Sequence, residues 1–108
     1  MRVAAIDIGT VTSRLLVADV DASGTRQVAR QSAITNLGEG VDASGELMSE
    51  AIDRTVAQVA EYRKVIDACA VDRVVALATS ASRDARNSGV FVSRLREVGV
   101  ELSVIPGE

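Results

Sequence analysis

The stretch VAAIDIGTVTSRLLVA, residues 3–18, decides the fold and contains the first candidate site. Its two ends, residues 3–6 and 15–18, are apolar runs with the length and composition of buried strands. Between them, Asp7 is followed at once by Gly9, by hydroxyl residues and by a returning strand. This order predicts a tight hairpin that brings backbone N–H groups, hydroxyls and the Arg14 guanidinium to one place.

The predicted turn has the chemistry of a phosphate site. Gly9 lets the chain approach a ligand closely, and successive backbone N–H groups form a nest for an anion. Because the Asp7 carboxylate repels a bare phosphate, its presence indicates a hydrated divalent cation between the two. An ordinary hairpin that uses Asp and Gly as turn residues explains the same few positions equally well.

The composition narrows the function classes. The chain of 108 residues has a net charge of −3 and contains no histidine. The absence of histidine excludes a histidine base, a Ser-His-Asp triad and the commonest zinc ligand within this chain. With only Tyr62 and Phe91 as aromatic residues, we expect no nucleic-acid partner. No run is long enough to span a membrane and no signal peptide is recognisable, so we expect a cytoplasmic protein without a membrane partner. Cys69 is the single cysteine of the chain, so no internal disulfide can form, and we expect this residue to be buried and inert.

The periodicity of the whole chain predicts an α/β fold in the order β-β-β-α-β-α-β. An antiparallel meander followed by helical crossovers gives a five-stranded mixed sheet with flanking helices, in a single domain over residues 1–108. Ser49 is the predicted N-cap of the long helix, and Gly99 the C-cap of the second. After the first strand, the predicted elements are strands Ser13–Val20 and Thr25–Leu37, helix Glu50–Ala70, strand Val74–Ala78 with both faces buried, a helix marked by Phe91, Leu95 and Val98, and strand Val100–Ile105.

A second phosphate candidate follows the strand that ends at Ala78. Hydroxyl residues at the carboxyl end of such a strand can cap the next helical turn and leave N–H groups for an anion, and Arg83 can reach the same anion. Alternatively, Thr79, Ser80 and Ser82 only cap the turn, and Arg83 pairs with a surface acid. We expect both turns to border the same side of the sheet. Three further polar residues are predicted to form a solvated helix surface: Asp84, Arg86 and Asn87.

Four stretches of the sequence resemble the exopolyphosphatase and guanosine pentaphosphate phosphohydrolase (Ppx/GppA) family. This family belongs to the actin-like ATPase superfamily, which has a ribonuclease H-like fold. The resemblance covers essentially the whole chain, and the glycine-punctuated loop with ATSASRDARN is its most specific part. The four stretches are VAAIDIGTVTSRLLVADV (residues 3–20), NLGEGVDASGELMSEAIDRT (36–55), ALATSASRDARN (76–87) and VIPGE (104–108).

The resemblance implies magnesium-dependent hydrolysis of terminal phosphoanhydrides in linear polyphosphate or in guanosine pentaphosphate. It also implies binding of guanosine tetraphosphate, room for a monovalent cation, and a homodimer when the protein is full length. By position, Asp7 would orient the metal, and Glu108 or a glutamate just beyond it would activate the attacking water. The phosphate-binding residues implied by the resemblance are Gly9, Thr10, Thr12, Arg14, Thr79, Ser80 and Arg83.

This sequence departs from the family pattern in the first loop. Val11-Thr12 replaces the usual Asn-Ser, and Ser13 replaces an apolar or aromatic residue. The chain also stops after the last predicted strand without a second phosphate loop, so we expect an N-terminal fragment that alone has negligible turnover. The alternatives are a sugar-kinase-like member of the superfamily, a non-catalytic regulator that binds guanosine tetraphosphate or polyphosphate, and an α/β domain without an anion site.

Overall fold

A computed structural model describes residues 1–103, apart from the side chains of residues 80 and 81. Its strands and helices follow the predicted order of the chain through the second long helix, with two additional short helices. The elements are β1 (Arg2–Ile8), β2 (Thr12–Asp21), β3 (Gly24–Ile34), α1 (Val41–Ser44), α2 (Ser49–Ala68), β4 (Arg73–Ala78), α3 (Ser80–Asp84) and α4 (Ser88–Glu97).

The four strands form one mixed sheet in the order β3-β2-β1-β4. The first three strands make an antiparallel meander, and β4 runs parallel to β1. A β-bulge between Val17 and Ala18 locally shifts the register of β2 against β3. The α/β class with a mixed sheet and flanking helices is therefore confirmed.

One face of the sheet carries the core. Alternate residues of β1, such as Ile6 and Ile8, are almost fully buried, as strand geometry requires for a half-buried strand. They pack in one cluster with Tyr62 of α2 and with Phe91 and Leu95 of α4. The opposite side of the sheet, called the open face below, carries exposed side chains in the described part of the chain.

The second long helix is capped one residue before the predicted position: Val98 is the C-cap, and Gly99 follows it. Gly99 has a φ of 85°, which costs glycine little. Its N–H donates to the Arg96 carbonyl, and the Val100 N–H donates to the Leu95 carbonyl. These two bonds make a Schellman motif, and the buried Val100 and Leu95 add its usual apolar contact.

Two further predicted boundaries were wrong, and α2 ends at Ala68 instead of Ala70. The N-cap of α2 is Met48, not Ser49, because the Ile52 N–H already donates to the Met48 carbonyl. The third strand stops at Ile34 instead of Leu37. Beyond it, the Thr35 and Asn36 amides turn away from the ladder and donate to the Val11 carbonyl.

Two predictions of burial were also wrong within the described residues. In β4 only Ala76 is fully buried, because the helices cover one side of this strand and its other side belongs to the open face. Cys69 is half-buried, since it is the C-cap of α2 and lies at the edge of the core.

The predicted fifth strand, Val100–Ile105, lies partly outside the described residues. Residues 100–103 are not a strand in the structure. The Ser103 N–H does donate to the Ala76 carbonyl of β4, at 2.7 Å. The chain therefore lies beside β4 at this point, and the sheet of the described residues has four strands.

Candidate functional site

The two predicted phosphate turns lie next to each other. Because β1 and β4 are parallel, both end at the same edge of the sheet, with Ile8 opposite Ala78. The Thr79 N–H donates to the Ile8 carbonyl at 3.1 Å, directly before Gly9. The β1–β2 turn (residues 9–12) and the β4–α3 turn (residues 79–83) therefore lie next to each other at the same end of the sheet.

The β1–β2 turn is tight and depends on glycine. The Gly9 N–H donates to the Thr12 carbonyl at 2.9 Å, which closes the turn. A Cβ atom at Gly9 would lie 2.8 Å from that same backbone oxygen, a distance that real Cβ atoms essentially never show. The turn can keep this shape only with glycine at its first position. Thr10 is exposed beside it and Thr12 is half-buried.

Two charged residues of opposite sign face each other next to this turn. Asp7 of β1 and Arg14 of β2 are direct cross-strand partners, and both are exposed on the open face. They line a cavity of about 400 Å³, together with Arg30. Neither takes part in an ion pair within residues 1–103, so both remain available to a ligand.

The donor set around Asp7 limits the metals that could bind here. Residues 1–103 contain no group of three or more carboxylate, cysteine or histidine side chains placed to hold an ion. Mg²⁺ does not need such a cage, because it keeps several waters and is usually held by one or two carboxylates plus substrate phosphates. The single carboxylate of Asp7 therefore fits Mg²⁺ in combination with a bound phosphate.

The β4–α3 turn contains an unsatisfied hydroxyl. Thr79 occupies the N-cap position of α3, but its side chain makes no capping hydrogen bond. Its Oγ1 atom is buried and has no hydrogen-bond partner among the described residues. A buried hydroxyl without a partner is costly, so this atom is a natural contact for a ligand oxygen. The alternative that Thr79 only caps the helical turn is therefore not supported.

The other residues of this turn have different roles. The Ser82 hydroxyl donates to the Thr79 carbonyl at 2.8 Å and stabilises the turn from inside. Arg83 is exposed and forms no ion pair in the described part of the chain, contrary to the alternative that it pairs with a surface acid. The Ser80 side chain and Glu108 lie outside the description.

A glycine loop, residues 37–47, connects the β1–β2 turn to the segment that follows α3, and the sequence did not predict how it is held. At one end the Gly38 N–H donates to the Thr10 carbonyl at 2.9 Å. At the other end the Asn87 side chain both accepts from the Leu47 N–H and donates to the Leu47 carbonyl, at 2.8 Å each. The Arg86 guanidinium donates to the Ser44 carbonyl at 2.7 Å.

The prediction that Arg86 and Asn87 form only a solvated helix surface was therefore wrong. Both side chains clamp the glycine loop onto the segment that follows α3. The amide of asparagine can pair with a backbone N–H and C=O at once, and this capacity was the one signal in the sequence. Nothing in the spacing of these residues indicated which loop they would reach.

A buried polar cluster supports the β1–β2 turn from the core side. The Ser13 and Thr35 hydroxyls form a hydrogen bond of 2.7 Å, and both residues are almost fully buried. The Tyr62 hydroxyl of α2 donates to the Ser13 carbonyl at 2.8 Å. Burial raises the pKa of Tyr62 above its ordinary value, so the phenol stays protonated and able to donate. Ser13, which stands where the family pattern has an apolar or aromatic residue, is thus buried with its hydroxyl hydrogen-bonded to Thr35.

Comparison with known proteins identifies the family of this chain. A model of the Ppx/GppA phosphatase family matches residues 16–108. Exopolyphosphatase 2 of Mycobacterium tuberculosis is 44% identical over 101 residues, which cover 90% of this chain and 32% of that protein. A more distant relative is the guanosine-5'-triphosphate,3'-diphosphate pyrophosphatase of Photobacterium profundum, 27% identical over 97% of this chain and 21% of its own length. The chain thus spans about a third or less of the length of these relatives.

Solved structures agree with the sequence comparison. The crystal structure of the Aquifex aeolicus member of the Ppx/GppA family superposes with a TM-score of 0.91 at 40% identity, covering 97% of this chain and 35% of that one. The structural neighbours have the actin-like ATPase fold, as the resemblance implied. The chain belongs to the Ppx/GppA phosphatase family.

Proposed function

We propose that the protein containing this chain hydrolyses terminal phosphoanhydrides and releases inorganic phosphate from linear polyphosphate. The observation that carries the proposal is the meeting of the two turns, where the Thr79 N–H bonds to the residue before Gly9. Arg14 of β2 lines the cavity on the open face, and Arg83 of the β4–α3 turn lines a second cavity beside Phe91. Neither arginine forms an ion pair within residues 1–103. A phosphoryl group bound between the turns would meet backbone N–H groups, the orphaned Thr79 hydroxyl and two guanidinium groups.

This set of residues suits phosphoryl transfer. The reaction requires mainly positioning and the neutralisation of charge spread over the phosphoryl oxygens, which fixed N–H donors and arginines supply. The β1–β2 turn would hold phosphate through the backbone of Gly9 and Thr10 and through the Thr12 side chain. In a chain without histidine, a carboxylate is the natural group to orient the attacking water, and we assign this role to Glu108 or a glutamate just after it.

We also propose that the activity requires Mg²⁺, held by Asp7 through its waters and by the substrate. When bound, the ion would neutralise phosphate charge next to the Asp7 carboxylate. We also propose that a monovalent cation accompanies the magnesium ion, as the family resemblance implies. The resemblance to the family supports a cytoplasmic homodimer as the working form of the full-length protein, with no nucleic-acid or membrane partner. Within residues 1–103, no helix is both long enough and apolar enough to cross a membrane.

Guanosine pentaphosphate is the second candidate substrate. One relative of this chain is named a guanosine-5'-triphosphate,3'-diphosphate pyrophosphatase, and its match covers nearly the whole chain. The chemistry at the reacting phosphate would be the same. We further propose that residues 1–108 alone turn over negligibly, because they span only about a third of the length of their curated relatives.

The test is phosphate release by the full-length protein, with long-chain polyphosphate and guanosine pentaphosphate offered in parallel. Each reaction is run with magnesium and again after chelation of the metal. We expect release from at least one substrate, lost on chelation, and none from the isolated chain of residues 1–108. Tight binding of both substrates without release would instead identify a non-catalytic regulator.

A further inference from the structure

The tip of the β1–β2 turn is held by two backbone donors from outside the hairpin. The Thr35 and Asn36 N–H groups both donate to the Val11 carbonyl, each at 2.9 Å. Asn36 adopts a φ of 52°, a left-handed conformation that asparagine tolerates better than most residues. The segment formed by residues 35 and 36 therefore sets where the tip of the turn lies.

Arg54 of α2 holds that same segment from its other side. Its Nε donates to the Thr35 carbonyl at 2.9 Å, and its Nη2 donates to the Asn36 carbonyl at 3.2 Å. One guanidinium thus ties down both residues whose amides bind Val11. The planar fork of arginine holds its donors on separate nitrogens at fixed spacing, whereas the three donors of a lysine ammonium share one nitrogen.

The ion pair of Arg54 is a separate contact. Its Nη2 also lies 2.7 Å from a Glu39 carboxylate oxygen, but both side chains are more than 40% exposed. Exposed ion pairs contribute little because water and salt screen them. The backbone contacts of Arg54, by contrast, reach the buried Thr35. They link α2 to the turn: the bond to the Thr35 carbonyl is half-buried, and the bond to the Asn36 carbonyl lies at the surface.

We infer that Arg54 is a positioning residue for phosphate binding by the β1–β2 turn. It acts through residues 35 and 36 on the Val11 carbonyl, and it does not itself contact the turn. The inference rests on the proposed function, since it names what shapes the phosphate site. If the turn holds phosphate equally before and during the reaction, then loosening it weakens binding without slowing the bound substrate.

The experiment compares four variants of the full-length protein in steady-state phosphate release from short-chain polyphosphate. Arg54→Gln should raise KM about five- to tenfold, as expected for the loss of the hydrogen bonds that fix the turn, with kcat within about twofold of wild type. Arg54→Lys should rescue part of the loss. Glu39→Gln should change KM by less than about twofold, as should Lys64→Gln, which removes an exposed ion pair of the same helix.

The kinetic signature separates positioning from simple destabilisation. A variant that merely unfolds more easily would lose active molecules, which lowers kcat and leaves KM unchanged. That result for Arg54→Gln would overturn the inference, as would an equal rise in KM for Glu39→Gln.

Failure of the proposed function itself gives a different result, since the wild type would then release no phosphate. The inference is in that case decided by calorimetric binding of the same polyphosphate. Weaker binding by Arg54→Gln than by Lys64→Gln would support it, and equal binding or no binding by the wild type would refute it.

Discussion

The hydroxyl groups of Ser13 and Thr35 can be tested by a double-mutant cycle, and their burial predicts the sign of the coupling energy between them. The two oxygens lie 2.7 Å apart, and both residues are at most 3% exposed. Ser13→Ala leaves the Thr35 hydroxyl without its partner inside the core, and Thr35→Val does the same to the Ser13 hydroxyl. The double variant removes both polar groups and keeps nearly the same shape.

The magnitudes follow from the cost of an unpaired polar group. A buried hydroxyl left without a partner costs about 1–3 kcal/mol, whereas removing both partners together is close to neutral. We expect each single substitution to lower the free energy of unfolding by about 2 kcal/mol and the double substitution by about 1 kcal/mol or less. The two sites should therefore be coupled by about 3 kcal/mol or more.

Urea unfolding of the chain of residues 1–108 measures this coupling, followed by circular dichroism and by the fluorescence of Tyr62. Tyr62 is the only tyrosine in a chain without tryptophan, and its hydroxyl bonds to the Ser13 carbonyl, so it reports directly on this cluster. Ser93→Ala, at an exposed position of α4, is the control and should change stability by about 0.5 kcal/mol or less. Additive single effects would refute the account of the pair.

Three further predictions concern other contacts. Gly38→Ala should lower stability and phosphate release, because its new Cβ would overlap the Thr10 methyl group; adding Thr10→Ser, which removes that methyl but keeps the hydroxyl, should restore much of both. Asn87→Ala should cost about 1–3 kcal/mol in urea unfolding through the loss of its two bonds to the Leu47 backbone, whereas an effect below that of Ser93→Ala would contradict the clamp. The hydrogen bond from Arg2 holds the pKa of Asp19 below its ordinary value. The stabilisation by this carboxylate is therefore complete above about pH 4 and is lost as the pH falls further. Asp19→Asn should flatten the acid side of the stability–pH curve, and an unchanged curve would contradict this.

Local patterns in the sequence were sufficient for most of the fold. The apolar runs around Asp7 predicted the first hairpin, and the helical stripe from Ile52 to Ile66 predicted α2. Gly99 correctly marked the end of α4 because only glycine adopts its backbone conformation cheaply. Each of these signals lies within a short segment, and the fold gives that segment the conformation that its residues favour.

The errors come from contacts that depend on distant parts of the chain. The end of β3 is set by two amides that turn toward Val11, and no pattern within the strand shows this. The roles of Asn87 and Arg54 likewise depend on which loop the folded chain brings to them. The adjacency of the two turns could be predicted, because parallel strands end at one edge of a sheet, but the network that holds them could not.

The most direct test of the central claim is phosphate release from long-chain polyphosphate by arginine variants of the full-length protein. Arg83→Ala and Arg14→Ala each remove a guanidinium beside one turn, and Arg96→Ala removes an exposed arginine of α4 that pairs with Glu101. The account predicts that kcat/KM falls by about 100-fold or more for the first two and stays within about twofold for the control. Full activity in both Arg83→Ala and Arg14→Ala would contradict a phosphate site between the two turns.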